Sequence, residues 1–267
     1  MPLHVKPIPA FRNLQSIQYN FMFYNEYRPS VTLQVYIDAY WTLTTASTAA
    51  PYRQTIFPDA CVDIIINIGD TSLQVNDHMV LSPGNNYLVG PMSERSRVVN
   101  PPGTRLLGIR FRPGAFPSFY KFPLHEITDR IIEFRDHSVL AMAYPGKHII
   151  KRIDRYFQQQ PASGTTLLSI MNYLQQCNGQ VSINELAKMY HMSIRTLERF
   201  VKNSTGITVK KTASIIRFQY ALKQLKQYRA PDSLLRIAIE AGYYDQAHLS
   251  NEIKKYAGLP PSALLSC

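Results

Sequence analysis

The stretch Ser182-Ile-Asn-Glu-Leu-Ala-Lys-Met-Tyr-His-Met-Ser-Ile-Arg-Thr-Leu-Glu-Arg-Phe-Val201 decides the architecture of the C-terminal part of the chain. Ser182 can accept from a free amide at a helix start, and Glu185, three residues on, completes a capping box. Leu186, Ala187 and Tyr190 give that helix an inner face. His191-Met192 make a turn, Ser193 caps a second helix, and Leu197, Phe200 and Val201 share its inner side. Arg195, Glu198, Arg199 and Lys202 are left on the other side, at i, i+3, i+4 and i+7. Two short helices joined in this way, and closed by Thr205-Gly206, read as a helix-turn-helix.

Working outward, the pattern recurs. In Ser233-Leu-Leu-Arg-Ile-Ala-Ile-Glu-Ala-Gly-Tyr-Tyr-Asp-Gln-Ala-His-Leu-Ser-Asn-Glu-Ile253, Ile237, Ala238 and Ile239 lie on a supporting helix and Gly242 makes the turn. Asp245 caps the next helix. Leu249, Ile253 and Tyr256 look inward, leaving Gln246, Ala247, His248, Ser250, Asn251 and Lys254 or Lys255 outward. His248 has an alternative reading as a partly buried packing residue. Between the two units the spacing predicts one long helix over about Val209 to Tyr228. Its apolar stripe is Ile215, Phe218, Leu222 and Leu225, with Lys210, Lys211, Arg217, Lys223 and Lys226 pointing elsewhere.

Charge agrees with this reading. The 267-residue chain has a formal net charge of +11, with 29 Lys+Arg against 18 Asp+Glu. From Pro161 onward there are 13 basic and 6 acidic residues, against 16 and 12 over residues 1–160. The smaller part thus carries the larger positive excess, the footprint of a polyanionic partner. An exposed row of Arg and Lys on a short helix suits the DNA major groove. Arginine bonds guanine bidentately, glutamate accepts from cytosine, and lysine neutralises phosphate. The alternative is a solvated helix face. A rigid connector between two such helices lets one chain reach successive major-groove segments, about 34 Å apart.

The chain divides near Gln160, where Gln158-Gln-Gln-Pro-Ala-Ser-Gly-Thr165 reads as a linker. Upstream, Val35–Trp41, Val62–Ile68, Asn86–Val89 and Arg105–Phe111 are short β-branched and aromatic runs between Pro, Gly, Asn and Asp. They predict an antiparallel sandwich or barrel. From about Leu124 to Gln159 the period lengthens toward helix, and Ile149, Ile150, Ile153 and Phe157 can share a face. That face either packs on its own domain or forms a dimer seam. The fold class is therefore α+β: a β-rich, barrel-like part with helices over residues 1–160, and an all-α part over 161–267.

Other classes find less support. No apolar run reaches the length of a membrane span, and Met1-Pro-Leu-His-Val-Lys-Pro-Ile-Pro9 lacks a secretory apolar segment, so a soluble cytoplasmic protein is expected. Cys61, Cys177 and Cys267 lie far apart and read as reduced thiols. The seven histidines show no metal-ligand spacing, and no GxSxG, Walker or GxGxxG motif occurs, so neither a metal, a cofactor nor a catalytic residue is expected. If the sheet closes, its mouth is the natural small-molecule site. Tyr40, Trp41, Arg53, Asp59 and Asp63 are candidates there, although Trp41 equally suits a core and Asp59, after Pro58, a turn.

Residues 165–265 resemble the AraC/XylS family of bacterial transcription regulators. The resemblance is carried by Glu185-Leu-Ala, Met192-Ser, Leu197, Arg199-Phe, Thr205-Gly-Ile-Thr, Arg217, Ile237-Ala, Ala241-Gly-Tyr, Asp245-Gln, His248-Leu and Gly258-Leu-Pro-Pro, in order. It implies base contacts from Arg195, Glu198 and Arg199 in the first unit, and from Gln246, Ala247, His248, Ser250 and Asn251 in the second. It also implies double-stranded DNA as partner and RNA polymerase as a second partner if the protein activates. Asn251 stands where an arginine is common, Glu252 adds a negative charge, and Ile253 replaces a phenylalanine, which leaves most specificity to the first unit. Phe57-Pro-Asp-Ala-Cys-Val-Asp-Ile-Ile65 and Gly108-Ile-Arg-Phe-Arg-Pro-Gly-Ala115 are similar to a β-rich domain fused to many such regulators. That likeness implies control by a small-molecule effector or, alternatively, a homodimerising or protein-binding domain with no ligand. Some relatives carry an alkyl-transferring cysteine domain, but Cys61 has no basic neighbour in sequence to activate it.

Overall fold

The computed structural model describes residues 16–19, 22–48, 50–76, 79–143, 148–162, 166–227 and 233–265. The first residues of the chain, Ser163 to Thr165 of the linker, Tyr228 at the end of the connector and Cys267 lie outside them.

The N-terminal part is built from eleven strands, all paired antiparallel: β1 Ser16–Tyr19, β2 Met22–Tyr27, β3 Ile37–Thr45, β4 Tyr52–Ile56, β5 Val62–Asn67, β6 Leu73–Val75, β7 Met79–Leu81, β8 Asn86–Val89, β9 Ser96–Asn100, β10 Arg105–Phe111 and β11 Ile131–Glu133. They form a seven-stranded sheet, β1-β2-β3-β10-β5-β8-β11, and a four-stranded sheet, β4-β9-β6-β7. The two-residue period of a strand sends neighbours to opposite faces. Ile37, Ile64, Ile66, Leu107, Ile109 and Phe111 of the large sheet pack with α1 His137–Ala143 and α2 Ile149–Gln159, into which Val139, Ile153 and Phe157 are buried. On the other face Tyr24, Trp41, Leu43 and Leu106 meet Leu73, Val75, Leu81 and Val98 of the small sheet. The result is three layers: helices, large sheet, small sheet.

Two expectations are corrected here, and one open alternative is decided. Val35 lies outside β3, because a 3-10 turn at Val31–Leu33 precedes that strand. The region after Leu124 is not helical throughout, since Ile131–Glu133 adds β11 to the edge of the large sheet by pairing with Tyr87–Val89. The apolar face of α2 packs on its own sheet rather than forming a seam: Ile153 and Phe157 are buried and Ile149 and Ile150 half-buried in that core. Asp154 fixes the helix further, accepting from Ser30 N at 2.9 Å and from Tyr40 Oη at 3.1 Å.

The C-terminal part is α-helical: α3 Thr166–Gln176, α4 Ile183–Met189, α5 Ile194–Thr205, α6 Val209–Gln227, α7 Ser233–Glu240, α8 Gln246–Ala257 and α9 Pro261–Leu265. The connector α6 buries more than the one stripe expected of it. Val209, Ala213 and Ile216 pack with Leu186, Leu197 and Val201 of the first unit. Ile215, Phe218, Leu222 and Leu225 pack with Ile237, Leu249, Ile253 and Tyr256 of the second. One helix thus serves as the spine of both cores. No helix among the described residues is long and apolar enough to cross a membrane.

Candidate nucleic-acid interface

Both helix-turn-helix units begin as their sequences dictate. Ser182 Oγ accepts from Glu185 N at 3.3 Å and Ser193 Oγ from Thr196 N at 3.1 Å, so α4 and α5 each start on a serine cap. The turn between them places His191 at φ +52°, in the left-handed region. In the second unit Asp245 Oδ1 accepts from His248 N at 2.7 Å and starts α8.

On α5, Leu197 and Val201 are fully buried and Phe200 half-buried. Arg195, Arg199 and Lys202 are exposed, as is Thr196, while Glu198 is half-buried. The three basic groups make no side-chain hydrogen bond or ion pair among the described residues, so their charges face solvent at i, i+4 and i+7. This is a donor array with its hydrogen-bonding capacity unspent.

On α8, Leu249, Ile253 and Tyr256 are buried at 0–2% exposure. Gln246, Ala247, His248, Asn251 and Lys254 are exposed and Ser250 is half-buried. His248 has a structural task. Its Nδ1 accepts from Tyr244 N at 3.4 Å, and its ring stands edge-on to Tyr243 at 5.2 Å, which fixes the turn into α8 while the residue stays exposed. Glu252 is answered within its own helix by Lys255 at 2.7 Å, so its charge does not stand free beside Asn251. Lys255 also lies 4.9 Å from the Tyr256 ring centroid, and both it and Lys254 are exposed. Tyr244 is 90% exposed immediately before α8. Nothing in the apolar period marks it, because it sits in a turn.

Residues 186–266 match a family described as a helix-turn-helix domain, and residues 25–133 match one described only as a domain of unknown function. Over the first of these stretches the C-terminal part is similar to the AraC/XylS family. The HTH-type transcriptional activator RhaS of Pectobacterium carotovorum subsp. carotovorum is 27% identical over 121 residues, 44% of this chain and 43% of that protein. An uncharacterized HTH-type transcriptional regulator of Haemophilus influenzae is 33% identical over 104 residues, 39% of this chain and 33% of its own length. The chain thus spans less than half the length of either. Among solved structures, ToxT from Vibrio cholerae aligns over 92% of this chain and 98% of its own with a TM-score of 0.49 at 10% identity.

The AraC/XylS-type part does not stand apart from the sheets. Four contacts from the N-terminal part reach its helices. Gln219 Nε2 of α6 donates to the carbonyl oxygen of Pro58 at 2.6 Å, in a buried bond. Phe57 meets Phe218 edge to face at 6.1 Å, and Phe57 and Ala60 are buried in the core of the second unit. Thr128 Oγ1 donates to the carbonyl oxygen of Gly206, the C-cap of α5, at 3.1 Å. Arg95 packs its guanidinium against Gly258, the C-cap of α8. The glycines at the ends of both outward-facing helices are therefore covered by the N-terminal part.

The five pocket candidates fare unequally. A cavity of about 80 Å³ lies between the two sheets. Trp41, Asp59 and Asp63 line it. Tyr40 does not: as the neighbour of Trp41 it faces the helix layer, fully buried and bonded to Asp154. Arg53 does not either, because it is exposed on β4 while its neighbour Gln54 turns inward. Both corrections follow from strand alternation. Residues missed in the sequence complete the cavity's polar wall: Arg110 of β10, Asn100 and Ser96 of β9 and Gln54 of β4.

Arg110 is the cross-strand neighbour of Asp63 and approaches three carboxylates, Asp63 at 3.4 Å, Glu26 at 3.6 Å and Asp59 at 3.8 Å. Asp63 also accepts from Trp41 Nε1 at 2.8 Å, and Glu26 from Tyr24 Oη at 2.7 Å. Burial pushes the Asp63 and Glu26 carboxyls above the usual carboxylate range, against the pull of Arg110. Burial lowers the Arg110 guanidinium, but the surrounding acids, Asp63 foremost, hold it well above its ordinary value. Gly108 makes the geometry possible, because the Trp41 ring lies where its Cβ would be.

Proposed function

We propose that this chain is a sequence-specific transcription regulator that binds double-stranded DNA through α5 and α8, acting in the cytoplasm. The observation that carries the reading is the unpaired, exposed row Arg195, Arg199 and Lys202 on α5, in a chain where a second capped helix, α8, shares the same spine. In this reading Arg195, Glu198 and Arg199 contact base edges and Lys202 a phosphate. Gln246, Ala247, His248, Ser250 and Asn251 present a less charged surface to the adjacent groove segment. RNA polymerase is a further partner if the protein activates.

The division near Gln160 separates a DNA-binding part from a sensor part, whose cavity offers the site for a controlling small molecule. The RhaS relatives are described as transcriptional activators, which supports regulation as the task. Cys61 is 2% exposed on β5's threshold and its Sγ contacts the Asp59 carbonyl oxygen at 3.7 Å, a setting that does not favour an alkyl-accepting thiol.

The experiment is selection of bound sequences from a random duplex pool by the full-length protein, then affinity for the winner and a scrambled control at low and high salt. Phosphate contacts lose affinity steeply with salt whatever the sequence, whereas base readout keeps the preference for the winner. Enrichment of one motif that survives the higher salt supports sequence-specific regulation. Equal, salt-labile binding to both duplexes contradicts it.

A further inference from the structure

The cavity between the sheets carries more negative than positive charge. Of the groups lining it, Asp59 and Asp63 are acidic and Arg110 is basic, and Glu26 adds a third carboxylate to the same guanidinium. Arg110 stands 3.4 Å from Asp63, 3.6 Å from Glu26 and 3.8 Å from Asp59, each beyond the roughly 2.7–2.9 Å of a charge-assisted bond at full strength, so one guanidinium is shared among three acids. Asn100 lines the same cavity at 1% exposure. Its Nδ2 is bound to Gln54 at 3.1 Å, but its Oδ1 has no hydrogen-bond partner. A buried acceptor left unsatisfied is costly, and here it awaits a donor. Tyr24 and Trp41, stacked at 6.0 Å, both line the cavity and give it an aromatic wall. Apart from Gln54 and Ser96 the remaining wall is apolar, including Leu43, Val75, Leu81 and Leu106.

The cavity also touches the lever described above. Asp59 belongs to the segment Phe57-Pro58-Asp59-Ala60 between β4 and β5. Its carboxylate turns toward Arg110, while Phe57, Pro58 and Ala60 turn toward α6. Ala60 is held at φ +60°, a conformation that costs a non-glycine residue on the order of 1–2 kcal/mol, so the segment is braced from both sides.

We propose that this cavity is a receptor for a small organic ammonium ion with a short apolar body, held by Asp59, Asp63 and Asn100 Oδ1, and that its occupancy is passed through Phe57–Ala60 to α6. At about 80 Å³ the space is worth about three waters at roughly 30 Å³ each, which suits a short ligand of a similar number of heavy atoms. An ammonium supplies donors to Asn100 Oδ1 and to the acids. It competes with Arg110 for Asp59, and a shift of Asp59 moves the backbone that carries the Pro58–Gln219 bond. The transmission step rests on the DNA-binding reading; the binding step does not.

The test titrates the full-length protein, without DNA, with a series of n-alkylammonium ions of increasing length and the matched n-alkyl alcohols, read by calorimetry at mildly alkaline pH. The expected result is saturable binding of at least one ammonium on the order of tenfold tighter than its alcohol, equivalent to about 1.4 kcal/mol. That preference should be lost in Asp63→Asn, and also in Asp59→Asn, which leaves the Trp41–Asp63 bond in place. Equal uptake of amine and alcohol, no uptake of any member up to millimolar concentration, or a preference unchanged in both variants overturns the receptor. A second arm measures affinity for the selected duplex with and without the bound amine. A shift present in the natural protein and absent in Gln219→Leu, with amine binding retained, supports transmission; no shift in either overturns it while leaving the receptor standing. Failure to bind any duplex is a separate result, which sinks the regulator reading without touching the calorimetry.

Discussion

Gln219 on the connector helix and Pro58 on the loop between two strands are joined by a buried 2.6 Å hydrogen bond across 161 positions of sequence. It ties the spine of both helix-turn-helix units to the wall of the sheet cavity. Replacing Gln219 with Leu leaves the Pro58 carbonyl buried without a donor, at a cost of about 1–3 kcal/mol. For a chain of this size that is a fall in Tm of roughly 2–4 °C per kcal/mol. Thermal unfolding measures it, and an unchanged Tm means the bond is not made in solution.

The covered C-cap of α5 makes a second prediction. Gly206 has φ +82°, and a Cβ there would stand 2.5 Å from Thr128 Oγ1 and 2.7 Å from the Leu124 carbonyl oxygen. Gly206→Ala should therefore destabilise by more than the roughly 1–2 kcal/mol that a left-handed alanine costs by itself. Combining it with Thr128→Ala should recover part of the loss, because the hydroxyl is removed while the Leu124 backbone stays. Strictly additive losses in that double-mutant cycle argue that Thr128 and Gly206 do not touch.

Two exposed residues three apart on α5 carry different roles in this reading. Arg199→Ala should reduce discrimination between the selected duplex and single-base variants by about 1–3 kcal/mol at the affected position. Lys202→Ala should weaken all duplexes alike and reduce the salt slope by about one. Quantitative binding to a small panel at several salt concentrations distinguishes them. Uniform losses in both variants would remove Arg199 from base readout.

A pH effect follows from the acids around Arg110. Asp63 and Glu26 have folded-state carboxyls raised by burial, so between the ordinary carboxylate range and their raised values the folded state binds more protons than the unfolded one. Stability contributed by these two groups therefore falls as pH rises through that window and returns as pH is lowered into it. The groups facing them are Arg110, Asp59, Asp38, Tyr24 and the Trp41 N–H. Asp63→Asn should flatten the dependence of denaturant midpoint on pH there relative to the natural protein. Parallel profiles would show that Asp63 titrates as an ordinary carboxyl.

Local signals were enough for the helical part. Ser193, Asp245 and Gly242 mark caps and a turn through their own side chains or lack of one, and the α5 row is a simple i, i+4 pattern. The N-terminal part was legible at β3, β5, β8 and β10, where a β-branched or aromatic run stands between turn residues. The small sheet rests on strands such as β6 and β7, each three residues long, and β11 exists because Ile131–Glu133 finds Tyr87–Val89. Such short runs carry no period, so long-range pairing decides them. Strand alternation could have separated Trp41 from Tyr40, since adjacent residues face opposite sides. The acids gathered on Arg110, the orphan oxygen of Asn100 and the docking of Phe57 on Phe218 depend on packing between distant segments, and no local pattern announces them.

The central claim is that one chain presents two reading helices to one duplex, and chemical footprinting of the selected duplex by the full-length protein tests it most directly. The account predicts two protected major-groove segments on one face, about 10 base pairs apart centre to centre, with the segment read by α5 lost in Arg195→Ala/Arg199→Ala. A single protected segment that is unchanged in that variant would contradict it.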